Sequence, residues 1–138
     1  MKTREQISFN MSRVKSTGSK IERTLGKALW ASGIRYRKQY RKLPGKPDFV
    51  IVCAKVAIFC DSAFWHGYGW PAAAHEIKSN REFWIQKIQG NIARDKAVNQ
   101  TLAELGWIVL RFWDHEILTN TAACVDQVVS VARQRGKN

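Results

Sequence analysis

Two short apolar segments nearly touch in the middle of the chain, Asp48-Phe-Val-Ile-Val52 and Lys55-Val-Ala-Ile-Phe-Cys60. Both are continuously apolar and rich in β-branched residues, the pattern of strands buried on both faces. Only two residues separate them, so they predict a hairpin at the centre of a sheet, and the rest of the chain has to cover it. Helical stripes on either side supply the cover. Ser19-Lys-Ile-Glu22 has the form of a capping box, with Ile21, Leu25, Ala28 and Leu29 as its apolar stripe and Gly33 as its stop. A strand over 34–40 and a turn at Leu43-Pro-Gly-Lys-Pro47 lead into the hairpin. Beyond it, residues 61–79 are aromatic and Gly/Ala-rich without a period, and predict a loop long enough to be functional. A long helix starts at Asn80, its N-cap, carries Phe83, Trp84, Ile85, Ile88, Ile92, Leu102 and Leu105, and stops at Gly106. Trp107–Trp113 predicts another strand, and about Asn120 to Arg135 a last helix burying Val125, Val128 and Ala132. The fold class is α/β, a mixed sheet flanked by helices in the order α-β-β-β-α-β-α.

The charge is lopsided. Of 23 basic and 11 acidic side chains, 13 and 2 fall in residues 1–46, against 10 and 9 in the remainder. Clustered Lys and Arg displace counterions from phosphates, which points to nucleic acid. An anionic membrane surface ranks behind it, because no amphipathic helix holds the whole charge. Residues 1–16 are polar, basic and aperiodic and predict a loose arm, leaving 17–138 as a single domain. The longest apolar run, Phe49–Ala54, is six residues, against the roughly 20 that a membrane helix needs. With no apolar stretch near the N-terminus either, a cytoplasmic setting is expected. Cys53, Cys60 and Cys124 are odd in number and sit in apolar runs, the signature of buried reduced thiols. Arg35-Tyr-Arg-Lys-Gln-Tyr-Arg-Lys42 alternates cations with tyrosines, so Arg37, Lys38, Arg41 and Lys42, with Lys46 in the turn, are candidate phosphate contacts.

The hairpin also brings acids together. If it turns about Ala54-Lys55, Asp48 lies directly opposite Asp61, on the same face. Like charges placed that way destabilise a sheet unless a cation neutralises them, and Mg²⁺, held by one or two carboxylates, does so while binding substrate phosphate. Glu22 is a third candidate acid, although the N3 position of a capping box also accounts for a Glu there.

Pro47-Asp48, the later Asp61 and an acidic helix upstream resemble the PD-(D/E)xK nuclease core, with one departure: Asp61-Ser-Ala63 lacks the lysine. Another proton acceptor is required. Val56-Ala-Ile-Phe-Cys-Asp-Ser-Ala-Phe-Trp-His-Gly67 is far more specific and resembles the signature of the very short patch repair endonucleases. Asn10–Ser16, Lys42–Asp48, Asn80–Trp84, Lys87-Ile88, Asn91, Arg94-Asp95, Gly106–Leu110 and Trp113 fall in that family's order, so the resemblance covers roughly residues 8–117.

The resemblance implies a restriction-endonuclease-like core that nicks double-stranded DNA beside a T:G mismatch, the lesion left when 5-methylcytosine deaminates. By position, Asp48 is implied as the central Mg²⁺ ligand with Asp61 beside it, His66 as the catalytic histidine, and Glu22 and Asp95 as its acidic supports. Phe64, Trp65 and Met11 are implied as the wedge entering the base stack, Met11 being flanked by Arg13 and Lys15. Residue chemistry agrees. An imidazole titrates near neutrality and can take the proton that the missing lysine would have handled. Apolar wedges open a base step most cheaply where pairing is already defective.

Relatives in that family usually hold a structural zinc through Cys and His residues around the Phe-Trp-His loop. Here Ala63, Tyr68 and Trp70 stand at ligand positions and only His115 remains, one imidazole where a tetrahedral site needs four ligands. No structural zinc is expected, with Tyr68, Trp70 and Pro71 packing in its place. The altered loop leaves open an endonuclease of different or relaxed DNA specificity. A catalytically inactive DNA-binding homologue is the third possibility, disfavoured because a carboxylate pair repels phosphate. The expected partners are mismatched DNA and other DNA repair proteins, with the chain itself a monomer.

Overall fold

Four strands form one sheet in the order β1 (Arg37–Lys38), β2 (Phe49–Ile51), β3 (Val56–Asp61) and β4 (Ile108–Trp113) in a computed structural model that describes residues 20–63, 66–77 and 79–136. Met11, Arg13, Lys15, Ser19, Phe64 and Trp65 lie outside the described residues. β1 to β3 pair antiparallel and β3 to β4 parallel, so the sheet is mixed. The described α-helices are α1 (Lys20–Ala31), α2 (Arg81–Glu104), α3 (Asp114–Thr119) and α4 (Thr121–Gly136). Among them no helix is long and apolar enough to cross a membrane.

Continuous apolarity places β2 and β3 at the centre, as the pattern requires, since each face of the sheet meets its own cover. Phe49, Ile51, Val56, Ile58, Leu110 and Phe112 join Leu25 and Leu29 of α1 and Val125 and Val128 of α4 in one core. Val50, Ala57 and Phe59 pack with Leu102 of α2 in a second core on the opposite face. Both predicted glycine stops hold. Gly33 and Gly106 have φ of +89° and +87°, and the chain folds back through Ile34 N–H to the Leu29 carbonyl and Trp107 N–H to the Leu102 carbonyl. Asn80 precedes α2 as expected, but with φ of +51° and no side-chain bond to the first turn.

Three expectations need correction. The hairpin does not turn about Ala54-Lys55: a 3₁₀ turn at Val52–Ala54, closed by Lys55 at φ +54°, makes a four-residue loop. Phe49 therefore pairs with Ile58 and Ile51 with Val56, a two-residue shift that carries Asp48 toward Phe59 and leaves Asp61 beyond it. A two-residue slip preserves the face, so the carboxylates still share a side. The same turn exposes Cys53, contrary to the expected burial, whereas Cys60 is half-buried and Cys124 buried. Finally, the strand predicted over 34–40 shrinks to Arg37–Lys38, because Gln39 adopts φ +48° and breaks the extended run.

Candidate active site

The polar side chains collect at one end of the sheet, where β2 begins and β3 ends. Asp48 reaches across the hairpin so that its Oδ2 accepts the Cys60 N–H at 2.7 Å. Gln39 enters from the β1 edge, its backbone N–H bound to the Asp48 carbonyl at 3.0 Å and its side-chain amide donating to Glu22 Oε2 at 3.1 Å. The same Gln39 side chain hydrogen-bonds Asp48, so one amide spans two carboxylates from α1 and β2. Burial drives the Asp48 carboxyl up to about 6, the Cys60 N–H and Gln39 pulling it back while the charges of Glu22 and Asp61 add to the rise.

On the other side of Asp48 stands a second cluster. His66 Nδ1 lies 2.5 Å from Asp95 Oδ2, and His66 Nε2 faces Asp61 Oδ1 at 3.8 Å. Arg111 of β4 closes it. The Arg111 Nη1 lies 3.2 Å from both Asp61 oxygens and 3.5 Å from Asp95 Oδ1, and the Nε–H donates to Asn99 Oδ1 at 2.7 Å. Burial opposes the charged imidazole of His66, but the hydrogen bond to Asp95 and the charges of Asp61 and Asp95 outweigh it and raise its pKa. Asp61 is raised chiefly by burial, against the pull of His66 and Arg111.

Backbone geometry holds His66 in place. Gly67, next to it, has φ of +75°, and a Cβ there would come 2.5 Å from Ile92 Cδ1. The loop thus lies directly on α2, the helix that supplies Asp95. Farther along, Tyr68 packs edge-on against Trp113 with ring centroids 5.1 Å apart and tilted over His115 at 4.6 Å, while Trp70 joins the Ile77, Trp84 and Ile88 cluster.

Asp48, Asp61, His66, Asp95 and Glu22 thus share one strand end. Asp95 contacts His66, whereas Glu22 is tied through Gln39 to Asp48. Arg37, Lys38, Arg41, Lys42 and Lys46 are exposed on the β1 edge and the following turn, on either side of Gln39. Gln39, Asn99 and Arg111 are polar members that the sequence reading missed. Two signals were available: a lone arginine inside an apolar strand, and Asp95 with Asn99 one turn apart on the helix face that carries Val98 and Leu102.

The carboxylates of Asp48, Glu22 and Asp61 lie close enough for the charges of Glu22 and Asp61 to act on Asp48, and oxygen donors of this kind suit a hard divalent cation. A mixed sheet with acids and a histidine converging at one strand end matches a PD-(D/E)xK-like nuclease fold. The chain belongs to the Vsr family: the model for "DNA mismatch endonuclease Vsr" matches residues 1–72. It is 47% identical over 133 residues to the type II nicking enzyme V.NmeDIP of Neisseria meningitidis serogroup C, covering 96% of this chain and 90% of that one. It is 48% identical over 106 residues to the type II nicking enzyme V.HpaIIP of Haemophilus parainfluenzae, covering 77% and 75%. With the DNA mismatch endonuclease Vsr of Escherichia coli K12 it shares 36% over 108 residues, covering 78% and 68%.

Proposed function

We propose that this endonuclease uses Mg²⁺ and nicks double-stranded DNA at T:G mismatches in very short patch repair. The observation that carries the proposal is the imidazole of His66, fixed through Nδ1 by Asp95 with Nε2 turned to Asp61, beside an Asp48 carboxyl raised by burial and then by its acidic neighbours.

Asp48 is the principal metal ligand, and Asp61 is the second, since Arg111 does not exhaust the lone pairs of its carboxylate. A divalent ion held by Asp48 and Asp61 would supply positive charge beside the phosphoryl oxygens and make water more acidic. His66 accepts the proton of the attacking water at Nε2, with Nδ1–H held by Asp95; the new P–O bond forms as one phosphodiester P–O bond breaks. Glu22 and Gln39 hold Asp48 in position. Arg37, Lys38, Arg41, Lys42 and Lys46, with Arg13 and Lys15 of the arm, take the backbone phosphates, and Met11, Phe64 and Trp65 form the wedge that reads the mismatch. The protein acts as a monomer in the bacterial cytoplasm on chromosomal DNA, alongside other DNA repair proteins.

No structural zinc belongs to this reading, because Tyr68 packs over His115 and against Trp113. Elemental analysis that finds one tightly held zinc per chain overturns that part. The function itself is tested with labelled duplexes, matched and T:G-mismatched, in Mg²⁺ or EDTA, using the wild type and Asp48→Ala. Nicking confined to the mismatch, lost in EDTA and in the variant, is expected. Indiscriminate cutting defeats the mismatch specificity, and binding without cleavage defeats the enzymatic role.

A further inference from the structure

Asp61, His66 and Asp95 each offer a ligand atom, all within 4.8 Å of one another, the composition and spacing of a transition-metal site. A guanidinium stands against that site. One Arg111 nitrogen, Nη1, lies 3.2 Å from both Asp61 oxygens and 3.5 Å from Asp95 Oδ1, so it touches the two carboxylates that a bound ion would bridge.

The fold places that guanidinium with little freedom. β3 and β4 pair Phe59 with Arg111, which puts both on one face, and the guanidinium carbon sits 4.0 Å from the Phe59 ring centroid. Asp95 and Asn99 are one helical turn apart on α2, so a single helix face receives Nη1 and Nε together. The Arg111 side chain is 18% exposed. Its charge is permanent, since a guanidinium does not lose its proton in proteins. A metal ion bound at Nε2 of His66 would consume the lone pair that a proton acceptor needs.

We propose that Arg111 is a positioning residue that keeps the His66 half of the site free of metal, bracing Asp61 and Asp95 around the imidazole with a built-in cation. The inference rests on the reading of His66 as the proton acceptor, but its main test is independent of nicking. Mn²⁺ is titrated into the full chain and counted by electron paramagnetic resonance. Arg111→Met is expected to take up one Mn²⁺ more than the wild type, and Arg111→Met with Asp95→Asn to lose it again. In Mg²⁺, Arg111→Met is expected to lower kcat for nicking by about 10–100-fold, as loss of a supporting group around a catalytic centre does, with KM for the duplex little changed, and Arg111→Lys is expected to restore part of kcat. Equal Mn²⁺ counts in the wild type and a folded Arg111→Met overturn the proposal. So does a wild-type Mn²⁺ that disappears in Asp95→Asn, a comparison that stands even if the Arg111 variants do not fold. Asp48→Asn tests the assignment of the resident ion to Asp48 separately: it removes the wild-type ion and leaves the extra ion of Arg111→Met in place.

Discussion

Two carboxylate pairs share one end of the sheet and are held by opposite means. Glu22 and Asp48 are bridged by the neutral amide of Gln39, and the other hydrogen bond to Asp48 comes from an uncharged backbone N–H. Asp61 and Asp95 are bridged by the cation of Arg111. The first pair gains no charge from its tether, and burial together with the neighbouring charges raises the Asp48 carboxyl to about 6. The second has a counter-charge built in, which meets part of its demand for a cation. A neutral tether adds no counter-charge to its carboxylates, whereas an ionic one does.

The largest effect that would break this contrast is at Asp48. Asp48→Asn should abolish nicking, a loss of roughly 10³-fold or more for several kcal/mol of electrostatic stabilisation. It should also stabilise the metal-free fold. The folded chain keeps a proton that the unfolded chain releases between the ordinary carboxyl range and about 6, so wild-type stability falls as pH rises through that window. At pH 7 the deficit is on the order of 1–3 kcal/mol. Urea melts without divalent ions should show the variant more stable at pH 7 and the gap closing near pH 4. A variant less stable than wild type at pH 7 refutes the raised carboxyl.

Asp95→Asn probes the other pair. With the hydrogen-bonded charge gone, the His66 pKa should fall from its raised position, followed by its Hε1 resonance in a pH titration. Protonated His66 stabilises the fold below its unfolded pKa, and that contribution is lost as pH rises through the folded one. Nicking runs the other way and should climb as the imidazole becomes neutral. In Asp95→Asn the rate should drop by about 10–100-fold and its rising limb should move to lower pH. An unmoved limb separates His66 from the chemistry.

The smallest effect should come from Gln39→Ala. Loss of the amide removes a hydrogen bond that lowers the Asp48 pKa, so the pKa rises further and a proton competes more strongly with the metal for the carboxylate. Half-saturating Mg²⁺ should increase by about 3–10-fold at pH 6.5, in line with one lost hydrogen bond to a charged group, and the difference should narrow at pH 8. The same increase at both pH values would show that Gln39 shapes the site without tuning Asp48.

How much of this was legible depended on the range of the interactions. Apolar runs around residues 49–60 announced two central strands, and the stops at Gly33 and Gly106 were local backbone chemistry. The hairpin register was missed by two residues, because Lys55 enters a left-handed conformation that an Ala-Lys pair does not advertise. The short helix α3 did not show in the pattern, since its six residues are too few to establish a period. Asp48, Asp61, His66 and Asp95 stood out as chemistry-bearing residues in recognisable spacing. Gln39 and Arg111 did not, being an ordinary polar residue and one cation among many.

The amino-acid order alone determined most of the elements, the two-faced central hairpin and the family, and marked out the acids and the histidine, because each is written within a few residues or in a continuous motif. Only the tertiary structure decided how those charges are shared: Gln39 between Glu22 and Asp48, Arg111 between Asp61 and Asp95. Those pairings join residues as far apart as 50 positions, and electrostatic balance between such groups exists only after strand pairing and helix packing have brought them within a few ångströms.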